Sequence, residues 1–270
     1  MKIAVAGAAG RMGQMLVREI ARTEDCTLAG ALEGAGSNAI GREAGEVAGV
    51  GTSHRSLKGV KIVSDVSAAL ANTDAVIDFT VPAATVAHAK AAAEMGVAMV
   101  IGTTGLDPHQ TAAVHEAAKK VPILWAANMS IGINILLSLV EKTASMLDPS
   151  YDIEVLEMHH RHKIDAPSGT ALALGRAAAA GRQVKIEDVW RKSRDGHTGA
   201  RPAGEIGFAT LRGGEEVGVH TVMFAAAGER LELSHRSFSR ETYAAGALRA
   251  AQWLAGKKPG LYGMKDVLGL

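Results

Sequence analysis

The first half of the chain alternates short apolar runs with longer alanine-rich segments, and this alternation limits the folds that it can adopt. A strand, a helix and another strand in repetition predict parallel strands joined by crossover helices. These short runs do not alternate with polar residues, as expected for strands that helices cover on both faces. We therefore predict an α/β domain with a doubly wound parallel sheet. Its predicted strands are 2–6, 27–32, 75–79, 97–101 and 122–125, and its predicted helices are 12–22, 83–95 and 109–119.

After a helix predicted near 131–146 the pattern changes. Polar and apolar residues alternate in four runs, which favours strands with one buried face. We predict a second, α+β domain on an antiparallel or mixed sheet, with one face on a helix and the other free to meet a partner. A final helix near 241–254 is expected to return to the first domain. The runs are 152–158, 205–211, 217–225 and 230–235, and the predicted boundaries are 1–129 with 240–270 for the first domain and 130–239 for the second.

Composition excludes several functional classes. A net charge of +1 provides no general field for nucleic acid, and no stretch approaches the roughly 18 apolar residues of a membrane span. The single cysteine, Cys26, cannot form an internal disulfide, and the N-terminus lacks the features of a secretory signal. We expect a cytoplasmic protein that binds neither nucleic acid nor a membrane.

A glycine loop, Gly7-Ala-Ala-Gly10-Arg-Met-Gly13, lies between the first predicted strand and helix. Such a loop favours a dinucleotide, because glycines let the backbone approach a pyrophosphate at a helix start. The spacing differs from the standard motif, so a tight turn is the alternative. Glu33 lies twenty residues after Gly13 and can accept from ribose hydroxyls, unless it is a solvated loop residue. These features predict a Rossmann-type first domain.

Two further predicted strands end in small or polar residues, Gly102-Thr-Thr-Gly105 and Ala126-Ala-Asn-Met129. Ligands of open α/β sheets bind at the carboxyl ends of the strands. Ordinary turn chemistry explains either loop alone, but together they favour a ligand crevice.

A cationic tract follows the run 152–158. It contains His159, His160 and His162 together with Arg161 and Lys163. Three histidines can hold zinc, but no cysteine or repeated acidic ligand accompanies them, and the neighbouring cations would repel a metal. We therefore expect no metal site. A solvated basic loop is a second alternative.

The continuation of the tract favours a third reading, an anion site. Ser168 is a candidate N-cap of the next helix, and the amides of Gly169 and Thr170 are then available to a carboxylate. A second carboxylate can meet the cationic tract, where a histidine or lysine can donate a proton. This pattern suits a small dicarboxylate reduced by hydride from a nicotinamide.

The motifs together resemble the dihydrodipicolinate reductase family of lysine and diaminopimelate biosynthesis. The resemblance rests on motifs in order along nearly the whole chain. They are Gly7-Ala-Ala-Gly-Arg-Met-Gly13, Val76-Ile-Asp-Phe-Thr80, Val100-Ile-Gly-Thr-Thr-Gly105, Glu157-Met-His-His-Arg-His-Lys-Ile-Asp-Ala-Pro-Ser-Gly-Thr-Ala171, Gly196-His-Thr-Gly199 and Ile206-Gly-Phe-Ala-Thr210.

The resemblance implies a reaction and a set of roles. The family reduces a cyclic imine with NADH or NADPH: hydride goes to ring carbon C4, and the resulting enamine is protonated at C3. His159 would be the acid/base and Lys163 the proton donor. Family members are homotetramers that join the sheets of their second domains. The implied substrate-binding residues are His160, Ser168, Gly169 and Thr170, and the implied cofactor contacts are Gly7, Ala8, Ala9, Gly10, Arg11, Met12, Glu33, Gly102, Thr103, Thr104, Ala126, Ala127, Asn128 and Met129.

One departure concerns the cofactor. Members that use NADPH well often carry arginine after the ribose-binding glutamate, whereas this chain has Gly34, for which Arg11 can substitute only in part. We expect NADH to serve at least as well as NADPH. His162 and the stretch 52–59 receive no role.

Two other functions fit parts of the sequence. A related dehydrogenase acting on an amino acid or semialdehyde would share both domains, but the His-His-x-x-Lys tract disfavours it. A nicotinamide-sensing regulatory protein would keep the fold but would have no use for His159 and Lys163 as paired proton donors.

Overall fold

The structure is a computed structural model that describes all residues, Met1–Leu270. They form two compact domains, one of Met1–Ile131 with Glu241–Gly269 and the other of Gly132–Arg240 with Leu270. None of the helices combines the length and the apolar character that crossing a membrane requires.

The elements alternate along the first half of the chain as the sequence predicts. In chain order they are β1 (Lys2–Ala6), α1 (Arg11–Arg22), β2 (Thr27–Leu32), α2 (Ala44–Val47), β3 (Ile62–Val63), α3 (Val66–Leu70), β4 (Ala75–Asp78), α4 (Pro82–Met95), β5 (Ala98–Ile101), α5 (Pro108–Ala118), β6 (Pro122–Trp125), α6 (Ile131–Met146), β7 (Asp152–His159), α7 (Gly169–Gly181), α8 (Ile186–Val189), β8 (Trp190–Arg191), β9 (Ile206–Arg212), β10 (Gly218–Ala225), β11 (Arg230–Ser237), α9 (Glu241–Leu254), β12 (Gly260–Tyr262) and α10 (Met264–Leu268).

The first domain contains a seven-stranded sheet in the order β12-β6-β5-β4-β1-β2-β3, and every pair in it is parallel. Two apolar clusters cover its two faces, one of them built on α1 and α9 and the other on α4 and α5. The doubly wound α/β fold predicted from the sequence is therefore confirmed.

Helix boundaries in this domain follow from local chemistry. In α1 the buried residues Gly13, Leu16, Val17 and Ile20 recur at helical spacing, so one stripe of the helix faces the sheet. Helix α5 begins in a capping box, because the Asp107 side chain accepts from the amide of N3 and the N3 side chain accepts from the amide of Asp107.

The sequence missed the two edge strands of this sheet, β3 and β12. They have only two and three residues, too few for an alternating or apolar run to stand out from a loop. The short helices α2 and α3 were missed for the same reason, and α2 interrupts the segment 34–59, which the sequence had left irregular.

The second domain contains a five-stranded mixed sheet in the order β11-β10-β7-β9-β8. Strand β10 is antiparallel to β7 and β11, whereas β9 is parallel to β7 and β8. Burial alternates residue by residue along β7 and β10, as predicted for strands with one covered face. Helices α6 and α7 cover that face. The predicted sheet of four strands lacked β8, which has only two residues.

Candidate active site

The glycine loop connects β1 directly to α1. Gly7 has φ of +72°, which favours glycine. A Cβ atom on Gly13 would lie 2.0 Å from the carbonyl oxygen of Gly7, so glycine is needed for the first turn of α1 to lie on the loop. The helix start therefore stands at the carboxyl end of β1, where its first-turn amides suit an anion. Of the other predicted loop residues, Ala8 is buried, Ala9 and Met12 are half-buried, and Gly10 and Arg11 are exposed.

Glu33 follows β2 and lies against this loop. Its Oε1 accepts from the amide of Ala9 at 3.2 Å, and its Oε2 accepts from the amide of Gly34 at 3.2 Å. The loop is also fixed to β2, because the amide of Gly7 donates to the carbonyl of Leu32 at 2.9 Å. The structure thus brings together the two features that the sequence placed twenty residues apart.

The loop after β5 contains Gly102, Thr103 and Thr104. A Cβ atom on Gly102 would lie 2.1 Å from the ring of Phe79, so the loop backbone lies directly on that ring. Thr103 is buried and Thr104 is exposed. The indole N–H of Trp125, at the end of β6, donates to the carbonyl of Thr103 at 3.1 Å.

The loop after β6 contains Ala126–Met129. The amide of Ala126 donates to the carbonyl of Ile101 at 3.1 Å, and Asn128 accepts from the amide of Ser130 through Oδ1 at 2.9 Å. Met129 is buried, and α9 packs on its backbone, since a Cβ atom on Gly246 would lie 1.8 Å from the Met129 carbonyl oxygen. Ala126 and Asn128 are half-buried, and Ala127 is exposed.

These loops share one edge of the sheet. They follow the neighbouring parallel strands β6, β5, β1 and β2, with only β4 in between, so all of them leave the sheet in the same direction. A glycine cradle, a helix start and a carboxylate beside them are the features that a dinucleotide requires. The residues present therefore fit such a cofactor.

In the second domain, Glu157 and His159 lie on the covered face of β7. Their side chains are 1% and 11% exposed. The Oε2 atom of Glu157 lies 2.5 Å from His159 Nδ1. An ionised carboxylate can only accept, so Nδ1 carries the hydrogen and Nε2 is the nitrogen left for chemistry. Gly218 of β10 leaves room there, because a Cβ atom on it would lie 3.1 Å from His159 Nε2.

Glu157 also binds Arg212 and the start of α7. The guanidinium of Arg212 donates to both carboxylate oxygens, at 2.8 and 2.9 Å. The amide of Ser168 donates to Oε1 at 3.0 Å. A single buried carboxylate thus connects the predicted acid, His159, with the residue that caps α7.

The protonation of Glu157 follows from these contacts. Burial on its own would raise the pKa of the Glu157 carboxyl. The hydrogen bonds from His159 and Arg212 outweigh burial and lower this pKa to about 2, from an ordinary value of 4.5. The group is therefore an anion at neutral pH.

His220 is a buried histidine of the same cluster. It pairs with Glu157 across β10 and β7, its ring lies edge-on to that of His159 with centroids 5.0 Å apart, and its Nε2 lies 3.2 Å from Ser168 Oγ. Burial lowers the pKa of His220 to about 4, and the charge of His159 adds to this effect. His220 is thus uncharged at neutral pH.

Helix α7 begins as the sequence predicts. Ser168 is its N-cap, and the side chain of Ser168 accepts from the amide of Ala171 at 3.1 Å. Gly169 is exposed and Thr170 half-buried in the first turn. A helix start of this kind can receive a carboxylate.

His160 and Lys163 follow β7 in a tight turn, in which the amide of Lys163 donates to the carbonyl of His160 at 3.1 Å. The guanidinium of Arg240 lies 3.2 Å from His160 Nε2. Burial lowers the pKa of His160, as does the positive charge of Arg240. Lys163 Nζ donates to Asp165 at 2.8 Å. Of the remaining tract residues, Arg161 and His162 are exposed.

Sequence reasoning missed four residues of this cluster. Glu157 and His220 carried a usable signal, since each is a polar residue at a core-facing position of an alternating strand. Arg212 and Arg240 carried none, because arginine is ordinary both at the end of a strand, where Arg212 lies, and just before a helix, where Arg240 lies. The structure contains no group of three or more His, Cys, Asp or Glu side chains placed to hold a metal ion.

Comparison with known proteins identifies the family. Residues 1–129 match the family model for the N-terminus of dihydrodipicolinate reductase, and residues 132–268 match the model for its C-terminus. The 4-hydroxy-tetrahydrodipicolinate reductase of Cupriavidus necator is 54% identical, with 100% of both chains covered. That of Methylocella silvestris is 53% identical, covering 100% of this chain and 97% of its own.

A solved structure supports the same fold. The dipicolinate-bound dihydrodipicolinate reductase of Paenisporosarcina sp. TG-14 superposes with a TM-score of 0.77 at 22% identity, covering 98% of each chain. The resemblance predicted from the motifs is therefore confirmed, and with it the prediction of an oxidoreductase. This chain belongs to the dihydrodipicolinate reductase family.

Proposed function

We propose that the chain catalyses the NAD(P)H-dependent reduction of dihydrodipicolinate, formed from 4-hydroxy-tetrahydrodipicolinate, to tetrahydrodipicolinate. Full-length relatives carry the name of this activity. One observation carries the proposal: Glu157 holds both the imidazole of His159 and the amide of Ser168. The proposed proton donor and the helix start proposed to bind a carboxylate are thereby held by the same side chain.

The first domain would hold the cofactor. The glycine loop and the start of α1 would bind the pyrophosphate, Glu33 would bind the adenosine ribose, and the loops 102–104 and 126–129 would complete the contacts. Bound there, the cofactor would supply hydride to ring carbon C4 of the substrate. The support for these roles is the shared sheet edge and the Glu33–Ala9 hydrogen bond.

The second domain would hold the substrate. One carboxylate would accept from the first-turn amides of α7 at Gly169 and Thr170, beside the Ser168 cap. The other would meet the positive charges of the tract, including Lys163 and His160 with Arg240 behind it. Two bound carboxylates would fix the orientation of the ring. The amides and cations that bind them would also stabilise the charge that develops as the imine is reduced.

Protonation at ring carbon C3 would come from His159 and Lys163. Glu157 fixes the ring of His159 through Nδ1, so Nε2 would be the donating atom. Neutral His220 avoids a second positive charge beside it. Lys163, which donates to Asp165 here, is the second donor.

Either cofactor can supply the hydride, and we propose that NADH serves at least as well as NADPH. A 2′-phosphate would meet the Glu33 carboxylate, and Gly34 offers it no side chain. Arg11, exposed at the start of α1, would compensate for this only in part.

A coupled assay tests the proposed function. The labile substrate is generated in the cuvette by the enzyme that condenses its precursors, and NADH absorbance is followed after addition of this protein. We expect absorbance to fall only when the precursor is present. Dipicolinate should compete with substrate, whereas pyridine-2-carboxylate, which lacks the second carboxylate, should bind at least about tenfold more weakly. No NADH or NADPH oxidation, or equal inhibition by both acids, would contradict the proposal.

We further propose a homotetramer joined through the open face of the second domain's sheet. Small and apolar side chains occupy the centre of that face, and Ala209 and Leu211 are exposed on it. The other members of this group are Leu156, Met158, Val219 and Met223.

The cytoplasmic location expected from the sequence stays a prediction, supported by the free thiol of buried Cys26.

A further inference from the structure

A second buried polar cluster lies in the first domain, at the carboxyl end of β4. Asp78 is 0% exposed, and its Oδ2 lies 2.7 Å from Nδ1 of His88 on α4, which is 7% exposed. Its other oxygen, Oδ1, accepts from both the amide and the hydroxyl of Thr80, at 2.8 and 2.6 Å. None of these groups has a part in the proposed reaction.

The same cluster holds the loop after β5. The hydroxyl of Thr103 donates to Asp78 Oδ1 at 3.3 Å and accepts from Thr85 Oγ1 at 2.8 Å. The amide of Thr80 also donates to Thr103 Oγ1 at 3.1 Å. Through its own backbone, Asp78 accepts from the amide of Gly102 at 2.8 Å. Both residues at the start of this loop are therefore bound to Asp78.

The cluster also reaches the glycine loop. A Cβ atom on Gly7 would lie 3.0 Å from Cγ2 of Thr80, so these two segments are in direct contact. A shift of Thr80 would thus displace both the glycine loop and Thr103. Asp78 stands beneath the edge at which the predicted dinucleotide loops meet.

A buried carboxylate is a costly way to stabilise a core, since apolar residues of similar volume often stabilise it equally well. Its hydrogen bonds have a different consequence, because they have direction and fix the partners' positions. We propose that Asp78 and His88 are positioning residues for the dinucleotide: through Thr80 and Thr103 they hold the loops 7–10 and 102–104 in the conformation that binds NADH. This inference rests on the cofactor-binding role proposed above.

Substitution of His88 separates positioning from plain stability. In His88→Leu the Oδ2 atom of Asp78 loses its partner on α4, whereas in His88→Asn the side-chain amide can still donate from nearly the position of Nδ1. Thr85→Val removes one hydroxyl from the chain of hydrogen bonds with little change of volume. Val114→Ala, in α5, is the control, because it removes buried apolar volume and takes no part in the hydrogen bonds of the cluster. For each full-length protein, NADH binding is titrated by nicotinamide fluorescence, and melting temperature, KM and kcat are measured.

We expect the NADH Kd of His88→Leu to rise about tenfold, equivalent to about 1.4 kcal/mol, with kcat at saturating NADH within twofold of wild type. His88→Asn should restore binding, and Val114→Ala should lower the melting temperature without changing Kd.

Binding within twofold of wild type in both His88→Leu and Thr85→Val would overturn the inference, as would equal defects in His88→Leu and His88→Asn. If His88→Leu does not fold, Thr85→Val decides by the same criterion, with an expected rise of at least threefold. Failure of the wild-type protein to bind NADH would instead contradict the proposed function.

Discussion

Glu157 shows how one buried residue can hold several side chains of a candidate site in place. Its carboxylate is buried, yet it holds His159, Arg212 and the Ser168 amide, and these partners lower its pKa to about 2. The bidentate pair with Arg212 neutralises the charge, so the carboxylate can lie in the core while still orienting the imidazole.

Replacing Glu157 should therefore impair chemistry more than binding. In Glu157→Gln the uncharged amide offers one accepting oxygen in place of two anionic ones, so the hydrogen bonds that orient His159 and the start of α7 weaken. We expect kcat to fall about 10- to 100-fold, with the KM for NADH within twofold of wild type. Steady-state kinetics measure this, and Glu232→Gln, on exposed β11, is the control. An unchanged kcat would show that Glu157 has only a structural role.

Gly34 is a second position at which we expect a single residue to affect a property of the protein, its preference between NADH and NADPH. It is exposed, and a Cβ atom there would meet nothing within 4 Å, so a longer side chain fits without strain. Gly34→Arg should raise kcat/KM for NADPH about tenfold relative to NADH, because its guanidinium can pair with the 2′-phosphate. The ratio of the two kcat/KM values checks this, with Gly34→Gln as the uncharged control. If kcat/KM of the wild-type protein strongly favoured NADPH, the proposal that NADH serves at least as well would be wrong.

At the scale of elements, the sequence predicted those with a strong period and missed the short ones. Strand β7 alternates over eight residues and α7 carries a Ser168 cap, so both were predicted. Strands β3 and β12 exist because a neighbouring strand pairs with them, and such tertiary pairing leaves no local pattern. The same holds for the site: the tract and the glycine loop are local motifs, whereas the Glu157–Arg212 pair joins residues far apart in sequence.

Acid should loosen the packing of β7, β10 and α7 in two steps. The folded-state pKa of His220 is lowered to about 4 from 6.5, so the unfolded chain binds the extra proton and stability falls as pH drops from about 6.5 to 4. The folded-state pKa of Glu157 is lowered to about 2 from 4.5, so its contribution, roughly 3 kcal/mol, is present above pH 4.5 and lost as pH falls towards 2.

Urea unfolding between pH 7 and 3 tests these two windows. His220→Gln should lose less stability than wild type between pH 6.5 and 4, and Glu157→Gln should lose less below pH 4.5. Parallel stability curves for wild type and both variants would show that neither group titrates as described.

At the scale of the whole molecule, the open face of the second domain's sheet is where we expect copies of the chain to meet. Leu211 is 49% exposed on that face, so a charge there is tolerated in a monomer and harmful in an interface. Light scattering should give four times the 28.0 kDa chain mass for wild type and a smaller assembly for Leu211→Glu. Leu261→Glu, on β12 of the other domain, should leave the mass unchanged. A monomeric wild type would contradict the proposed tetramer.

We propose above that His159, the last residue of β7, and Lys163, in the turn that follows, supply the proton for a reduction whose hydride comes from a nicotinamide. The most direct test of this proposal is the turnover rate of NADH oxidation with the enzymatically generated substrate, compared among wild type, His159→Gln and Lys163→Ala. We predict that each substitution lowers kcat at least about 100-fold while NADH binding stays within twofold of wild type. Wild-type kcat in both variants would contradict the proton-donor roles proposed for His159 and Lys163.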